Sequence, residues 1–377
     1  MQNIKDFIMA SASNENKHTA LRAVVWFAKF HLLVATAVVG FLAVAFLTSD
    51  WVLYVLEGTD ARNMELRSQA LEGLSISRVP DISTTFALPN NGVMSDEALA
   101  YMKYYGFIKF DGALSVKEVE SVRKEKFRIE AELIAEGRTE INGVPLFRGT
   151  GSMSDSIHRI PFSSSRSKII KDIIHDERFH SVKALIASFK GAGFSADSVR
   201  IGDREKDGVV FNSYMNLGDF SADSSKKKSV WSRNQLGWHT DGLRDIAYLR
   251  APKAMLNFGI HLDTVDPNNG DAGLCLIPGT HNQHMWGFYF RKLYFFSNEA
   301  DEKEICVKTT AGDVTVHDGR LWHRVEPAKE VGEHTLRRSI YVPYLTNDQP
   351  VEIKSKASSV PAYHRFAWIL RMFKGGL

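Results

Sequence analysis

From Gly237 to Leu345 the chain is a succession of short apolar runs separated by tight turns, and this confines that half of the protein to a mainly β fold. The runs are 237–240, 254–262, 273–277, 305–309, 313–317, 321–327 and 337–345. The turns between them include Pro267-Asn268-Asn269-Gly270, Pro278-Gly279, Ala311-Gly312-Asp313 and Asp318-Gly319, whose Gly, Pro and Asn residues favour chain reversal. Many short strands closed by regular turns specify a sandwich or a barrel, and jelly rolls and cupin-type barrels are such folds.

Upstream the pattern is mixed. Ser95-Asp96-Glu97 opens a helix that runs to Tyr105 and stops at Gly106, and Phe107–Phe110 follows as a strand. Ser115 and Glu118 are spaced as a capping box, so a second helix runs from Val116 toward Gly137. Helical periodicity returns over 168–190, and 209–217 is a strand. The polar stretch 219–233, with Lys226-Lys227-Lys228, is a binding loop or a solvated surface loop.

The N-terminus has a different character. Phe30 to Ser49 carries no charge, and about 20 residues of helix reach roughly 30 Å, the thickness of a bilayer core. Trp26, Trp51 and Tyr54 flank the run, where interfacial aromatics belong. A buried core helix and a cleaved signal ending near Ala43-Val44-Ala45 are the competing readings; an anchor is preferred because the apolar character continues through Leu56. The expected organisation is therefore a tail (1–29), one transmembrane helix (30–56), a linker (57–93), the β domain with its helices (94–350) and a basic amphipathic helix (351–377). The last can lie in a membrane interface or dock on its own domain. A net charge of +3 over 377 residues is too weak to argue for nucleic acid. Two cysteines, Cys275 and Cys306, are too few for a disulfide framework or a thiolate-held zinc or iron–sulfur site.

Within the β half, His239-Thr240-Asp241 has the His-x-Asp spacing that lets two side chains of a strand face one metal. With one more histidine they make the 2-His-1-carboxylate triad of non-haem Fe(II) sites, which leaves coordination positions open. His323 is preferred as that histidine because it lies inside the strand after the Asp318-Gly319 turn. His317 competes for the place, but it ends the preceding strand and has the position of an ordinary turn histidine. His261, His281, His284 and His334 are expected to be surface or hydrogen-bonded residues. Arg337 and Ser339 share one face of the last strand and could hold a carboxylate, with Arg338 turned the other way.

Taken together, WHTDG (238–242), NGDAGLCLIPGTHN (269–282), GDVTVHDGRLWH (312–323), RRSIYVPY (337–344) and the opening YMKYYGFIKFDGALSVKEVESVR (101–123) resemble the phytanoyl-CoA dioxygenase family of Fe(II)/2-oxoglutarate oxygenases. The resemblance spans roughly Ser95 to Leu345. It implies a double-stranded β-helix, a jelly roll with helices packed on one sheet. It implies Fe(II) held by His239, Asp241 and His323, with 2-oxoglutarate and O2 as cosubstrates. It also implies that Arg337 binds the distal carboxylate of 2-oxoglutarate, and that Asn257, on the strand after the HTDG motif, contacts the cosubstrate. Two departures stand out: Arg324 and Val325 follow the distal histidine where the family often has a small residue and a serine, and the apolar N-terminus lies outside the family pattern.

These readings converge on an oxygenase that hydroxylates, desaturates or cyclises an unactivated C–H bond. Asp241 leaves no ligand position for a halide. The anchor and basic tail suggest a lipid-like or amphiphilic substrate. The alternatives are a membrane-tethered oxygenase of a soluble natural-product intermediate, and a non-catalytic cupin-like metal-binding scaffold. Sidedness is contested: Lys17, Arg22 and Lys29 before the apolar run keep the N-terminus cytosolic and send the rest across. Arg62, Arg67 and the cytosolic supply of 2-oxoglutarate favour a catalytic domain on the cytosolic face.

Overall fold

The computed structural model describes residues 60–148, 156–189, 195–205, 207–216, 236–242, 253–283, 287–288, 291–292 and 298–347, together with positions 32, 33, 36, 37, 39 and 40. Met1–Glu57 and Gly58–Leu377 are separate units. In the first, the described residues are helical, Thr36 Oγ1 donates to Leu32 O at 2.8 Å, and Leu32, Leu33 and Val39 are exposed. Among the described residues no helix is long and apolar enough to cross a membrane, so the expected transmembrane helix has no counterpart there. Most of the 30–56 span lies outside the described residues, as do the 1–29 tail, the 219–233 stretch and the helix expected over 351–377.

The second unit is folded well before Met94. Helix α1 (Asp60–Leu71) packs on α2 (Asp96–Tyr105), with the Arg67 guanidinium 5.6 Å from the Tyr104 ring. Tyr101 and Tyr105 donate their hydroxyls to the carbonyls of Ile82 and Pro80, and Phe86 bridges to Phe110. The expected linker over 57–93 is therefore, from residue 60 onward, part of the folded unit. Its Gly, Ser and Pro residues mark an irregular path held by side chains that come from elsewhere in the chain.

The cap signals are realised. Ser95 Oγ accepts from Ala98 N, and Gly106 closes α2 in the left-handed region at φ 81°. A Cβ at Gly106 would also meet His281 Nδ1 at 2.3 Å, so glycine is required there on two counts. Ser115 and Glu118 form the capping box that starts α3 (Val116–Ala135). The periodicity over 168–190 divides into α4 (Lys168–Ile174) and a 3-10 segment, Glu177–Ser188.

The strands are β1 (Phe107–Phe110), β2 (Glu140–Ile141), β3 (Val144–Pro145), β4 (Phe147–Arg148), β5 (Ile157–Ile160), β6 (Val199–Ile201) and β7 (Val210–Tyr214), followed by β8 (Leu236–His239), β9 (Met255–His261), β10 (Gly273–Leu276), β11 (Ile305–Cys306), β12 (Val314–Asp318), β13 (His323–Glu326) and β14 (Arg337–Thr346). A large antiparallel sheet has the order β1-β12-β9-β14-β7-β5-β4, with β6 added beside β14, and a smaller one has the order β11-β10-β13-β8. β2 and β3 pair separately. Two antiparallel sheets meeting around one interior are the cupin-like architecture expected from the strand pattern.

Alternation along the strands sorts the large sheet into two faces. Ile108, Phe110, Phe211, Leu256, Phe258, Ile260, Val314, Val316, Ile340 and Val342 are buried in the main core with Val122, Ile129 and Leu133 of α3 and Phe179, Val182 and Leu185 of the 3-10 segment. The other face carries Lys109, Asn212, Tyr214, Asn257, His261, Thr315, His317, Arg337 and Ser339, aligned by register into polar rows. A sheet that is apolar toward its helices and polar toward the barrel interior is built to hold a polar ligand inside.

Candidate active site

The smaller sheet supplies two histidines. His239 ends β8, His323 begins β13, and the two are direct partners across the strands, with ring centroids 4.1 Å apart. Each Nδ1 is tied to a backbone carbonyl two residues back: His239 to Gly237 O at 2.8 Å and His323 to Leu321 O at 2.9 Å. An Nδ1–H that donates to a carbonyl fixes the tautomer and leaves the lone pair on Nε2, the arrangement of a metal-ligating histidine.

Asp241 reaches the same point by a different route from the one expected. It does not lie on the strand with His239. β8 ends at His239, and the chain turns so that Asp241 N donates to Gly319 O at 2.8 Å. The turn carries the carboxylate toward His323, with Oδ1 3.7 Å from its Nε2. One potential ligand atom from each of His239, Asp241 and His323 lies within 4.8 Å of the other two. Among the described residues the only other such group is Cys275, Glu304 and Cys306, whose two thiols are joined as a disulfide.

Electrostatics suit the donor set. Burial holds His239 below its ordinary value, opposed by the Asp241 charge. Burial, reinforced by His239, holds His323 well below. Burial alone would raise the Asp241 carboxyl, but His323, His317 and His239 outweigh it and keep the group well below the usual carboxylate range. Two neutral imidazoles and one ionised carboxylate are the protonation states a first-row divalent ion needs.

On the large sheet, β14 places Arg337 and Ser339 on the interior face. Arg337 is 3% exposed and Ser339 1%, and among the described residues Arg337 Nε and Ser339 Oγ have no hydrogen-bond partner. The Arg337 guanidinium lies 5.8 Å from the Tyr214 ring. Buried donors are left unpaired only at considerable cost, and a carboxylate would satisfy both. The residues present therefore fit 2-oxoglutarate. Arg338 turns the other way and forms a two-point ion pair with Asp263 at 2.9 and 2.6 Å.

Of three further interior residues, His317 differs from expectation, and His261 is hydrogen-bonded as expected. Asn257 sits on the interior face, and its Nδ2 donates to Asp241 Oδ2 at 3.0 Å, so its described contact is with the Asp241 carboxylate. His317 is no turn histidine. It lies within β12, is 1% exposed, and its Nε2 is 3.2 Å from Asp241 Oδ2. His261 is buried between its strand partner Ser339 and Thr315, whose Oγ1 is 2.8 Å from His261 Nε2. The alternation of Val314 and Val316 against Thr315 and His317 was the signal available in the sequence that His317 faces inward.

The departure at Arg324 has a physical account. It sits on the opposite face of β13 from His323, 3% exposed, with a two-point ion pair to Glu304 at 2.8 and 2.7 Å. Its guanidinium is 5.4 Å from the Trp238 ring and donates to Asn298 O. Arg324 thus fastens the segment around Asn298 and Glu304 to the outside of the smaller sheet. On the same sheet Cys275 and Cys306 are direct strand partners and are joined in a disulfide, which two isolated cysteines in the sequence gave no reason to expect.

The family model for phytanoyl-CoA dioxygenase (PhyH) matches residues 102–329. No curated protein matches the chain in sequence. Among solved structures, it is similar to iron-bound EctD from S. alaskensis, at 16% identity over 71% of this chain and 82% of that one, with a TM-score of 0.47. It is also similar to SnoK, a non-haem alpha-ketoglutarate-dependent carbocyclase from nogalamycin biosynthesis, at 16% identity over 70% and 87% with a TM-score of 0.44. A third is HygX from Streptomyces hygroscopicus with nickel and 2-oxoglutarate bound, at 14% identity over 68% and 88% with a TM-score of 0.44. The family match covers more than half of the chain and includes His239, Asp241 and His323, and on that ground the chain belongs to the phytanoyl-CoA dioxygenase family of Fe(II)/2-oxoglutarate-dependent oxygenases.

Proposed function

We propose that this protein hydroxylates, or by the same chemistry desaturates or cyclises, an unactivated C–H bond of a lipid-like or amphiphilic substrate, and that it does so while anchored in a membrane. The observation that carries the catalytic part is the pair of buried donors on Arg337 and Ser339, unpaired among the described residues, on the interior face of the large sheet, together with the His239–Asp241–His323 cluster. Iron bound by the triad supplies the O2 chemistry that protein side chains cannot, with 2-oxoglutarate as electron source. The chain's own part is to hold and orient. His239 and His323 present Nε2, Asp241 presents a carboxylate oxygen, and Arg337 with Ser339 grips the far carboxylate of the cosubstrate. Leu276, the strand partner of His323, and Phe107, the partner of His317, are buried and keep water from the polar floor.

The apolar run 30–49 supports the membrane part, and the exposure of Leu32, Leu33 and Val39 on a helix calls for an apolar surrounding. The Cys275–Cys306 disulfide favours an oxidising compartment. It weighs against the cytosolic face, which Arg62, Arg67 and the cytosolic supply of 2-oxoglutarate slightly favour, and together with Lys17, Arg22 and Lys29 before the run it supports a single-pass arrangement with the oxygenase domain on the non-cytosolic face. The test is iron-dependent succinate formation from 2-oxoglutarate, measured with detergent-solubilised lipid extract and, separately, with water-soluble metabolites. Stimulation by the lipid extract supports the reading. Stimulation by the soluble fraction alone overturns the lipid-like substrate and leaves the oxygenase.

A further inference from the structure

Asp241 offers two oxygens, and the protein treats them differently. Oδ2 accepts from Asn257 Nδ2 at 3.0 Å and lies 3.2 Å from His317 Nε2. Oδ1 is the oxygen recorded 3.7 Å from His323 Nε2. Asn257 and His317 are direct partners in the β9–β12 ladder, so the sheet itself sets their side chains next to each other. His317 is almost fully buried, and among the described residues its Nδ1 has no hydrogen-bond partner. A proton on Nδ1 would be a buried N–H without an acceptor and would turn a lone pair toward the carboxylate. A proton on Nε2 gives a charge-assisted hydrogen bond and leaves only a lone pair unmatched. The ring is therefore the Nε2–H tautomer, a donor to Asp241.

We propose that Asn257 and His317 are positioning residues, a two-donor clamp that occupies Oδ2 of Asp241 and restricts the carboxylate to binding metal through Oδ1 alone. The proposal rests on the triad reading above. Its consequence is a matter of coordination arithmetic. A six-coordinate ion held by three protein atoms keeps three positions; a 2-oxo acid chelate fills two and O2 needs the last. A carboxylate free to swing and bind through both oxygens would take that last position. The strand ladder prevents it, because moving Oδ2 onto the metal would break two hydrogen bonds from side chains fixed by the same sheet. The clamp also explains why Asn257 faces the interior without reaching toward Arg337, and why a histidine that is not a ligand is buried against the ligands.

The experiment uses the full-length protein loaded with Fe(II) under anaerobic conditions, saturated with 2-oxoglutarate and titrated with nitric oxide as a stand-in for O2. The iron–nitrosyl signal in electron paramagnetic resonance reports whether the last position is open. Asn257→Leu removes one donor with little change in volume. His317→Leu removes the other, and His317→Gln keeps an N–H near the same place. The expected result is a nitric oxide affinity, in the iron-loaded fraction, about 10-fold weaker in each leucine variant and close to wild type in His317→Gln. A purely structural role would lower iron loading or thermal stability and leave the nitric oxide affinity of the loaded fraction unchanged. That outcome overturns the clamp. Because each leucine variant tests it alone, failure of one to fold leaves the other to decide. Wild-type protein that binds no Fe(II) would remove the triad reading, and the clamp with it.

Discussion

Arg337 and Arg338 are adjacent and do opposite things, because a strand turns successive side chains to opposite faces. Arg338 is neutralised by Asp263, whereas Arg337 keeps a buried Nε that has no partner among the described residues. Arg337→Ala should therefore raise the 2-oxoglutarate concentration needed for half-maximal turnover by roughly 30- to 1000-fold, from about 2–4 kcal/mol of charge-assisted contact. Arg338→Ala should leave that value near wild type and lower the melting temperature instead. A larger cosubstrate defect in Arg338→Ala would mean that the register of β14 is off by one. That Arg337 and Arg338 take opposite faces was legible from alternation; His239, Asp241 and His323 do converge, but through a turn after β8 rather than along one strand as the spacing suggested. Asn257 and His317 were legible only as positions, since a contact such as theirs to Oδ2 depends on side-chain geometry across two strands.

Elements were legible where a local signal defines them. Ser95, Gly106 and the Ser115–Glu118 box mark helix ends with side chains that act within a few residues, and each marked the boundary that is observed. The segment 60–93 was misjudged because its order comes from distant partners, the Tyr101 and Tyr105 hydroxyls and the ring of Tyr104. The strands β2 to β4 escaped for another reason, since two residues each are too few to show a period. At the start of α3, Arg178 reaches across from the 3-10 segment and holds the Glu118 carboxyl down at about 2. A carboxyl lowered from 4.5 contributes stability that is complete above pH 4.5 and lost as pH falls toward 2. Glu118→Gln should lower the melting temperature at pH 7 and flatten the part of the acid denaturation curve between pH 4.5 and 2. An unchanged curve would mean that the Glu118–Arg178 pair contributes nothing to the docking of the two elements.

At the scale of the molecule, the helices and apolar sheet face make one core, and the polar face lines the interior. Burial holds His281 down at about 4 and His261 down at about 3, both from 6.5. The unfolded chain takes up protons at these positions that the folded chain refuses, so stability is complete above pH 6.5 and falls as pH drops below it. Calorimetry between pH 7 and 4 should show a steady decline in melting temperature that is shallower in His281→Asn. The folded unit also begins earlier than the family motifs do. A chain starting at Gly58 should keep the melting temperature of the whole unit, whereas one starting at Ser95 should melt lower, having lost α1 and the Phe86 bridge.

The central claim is that His239, Asp241 and His323 hold Fe(II) with 2-oxoglutarate bound beside Arg337. Adding 2-oxoglutarate to the anaerobic Fe(II) protein and recording the visible spectrum tests it most directly, because a 2-oxo acid chelated to Fe(II) gives a charge-transfer band that neither component has alone. The account predicts the band in wild type and His281→Asn, and its loss in His323→Ala. No band in wild type, or an undiminished band in His323→Ala, would contradict it.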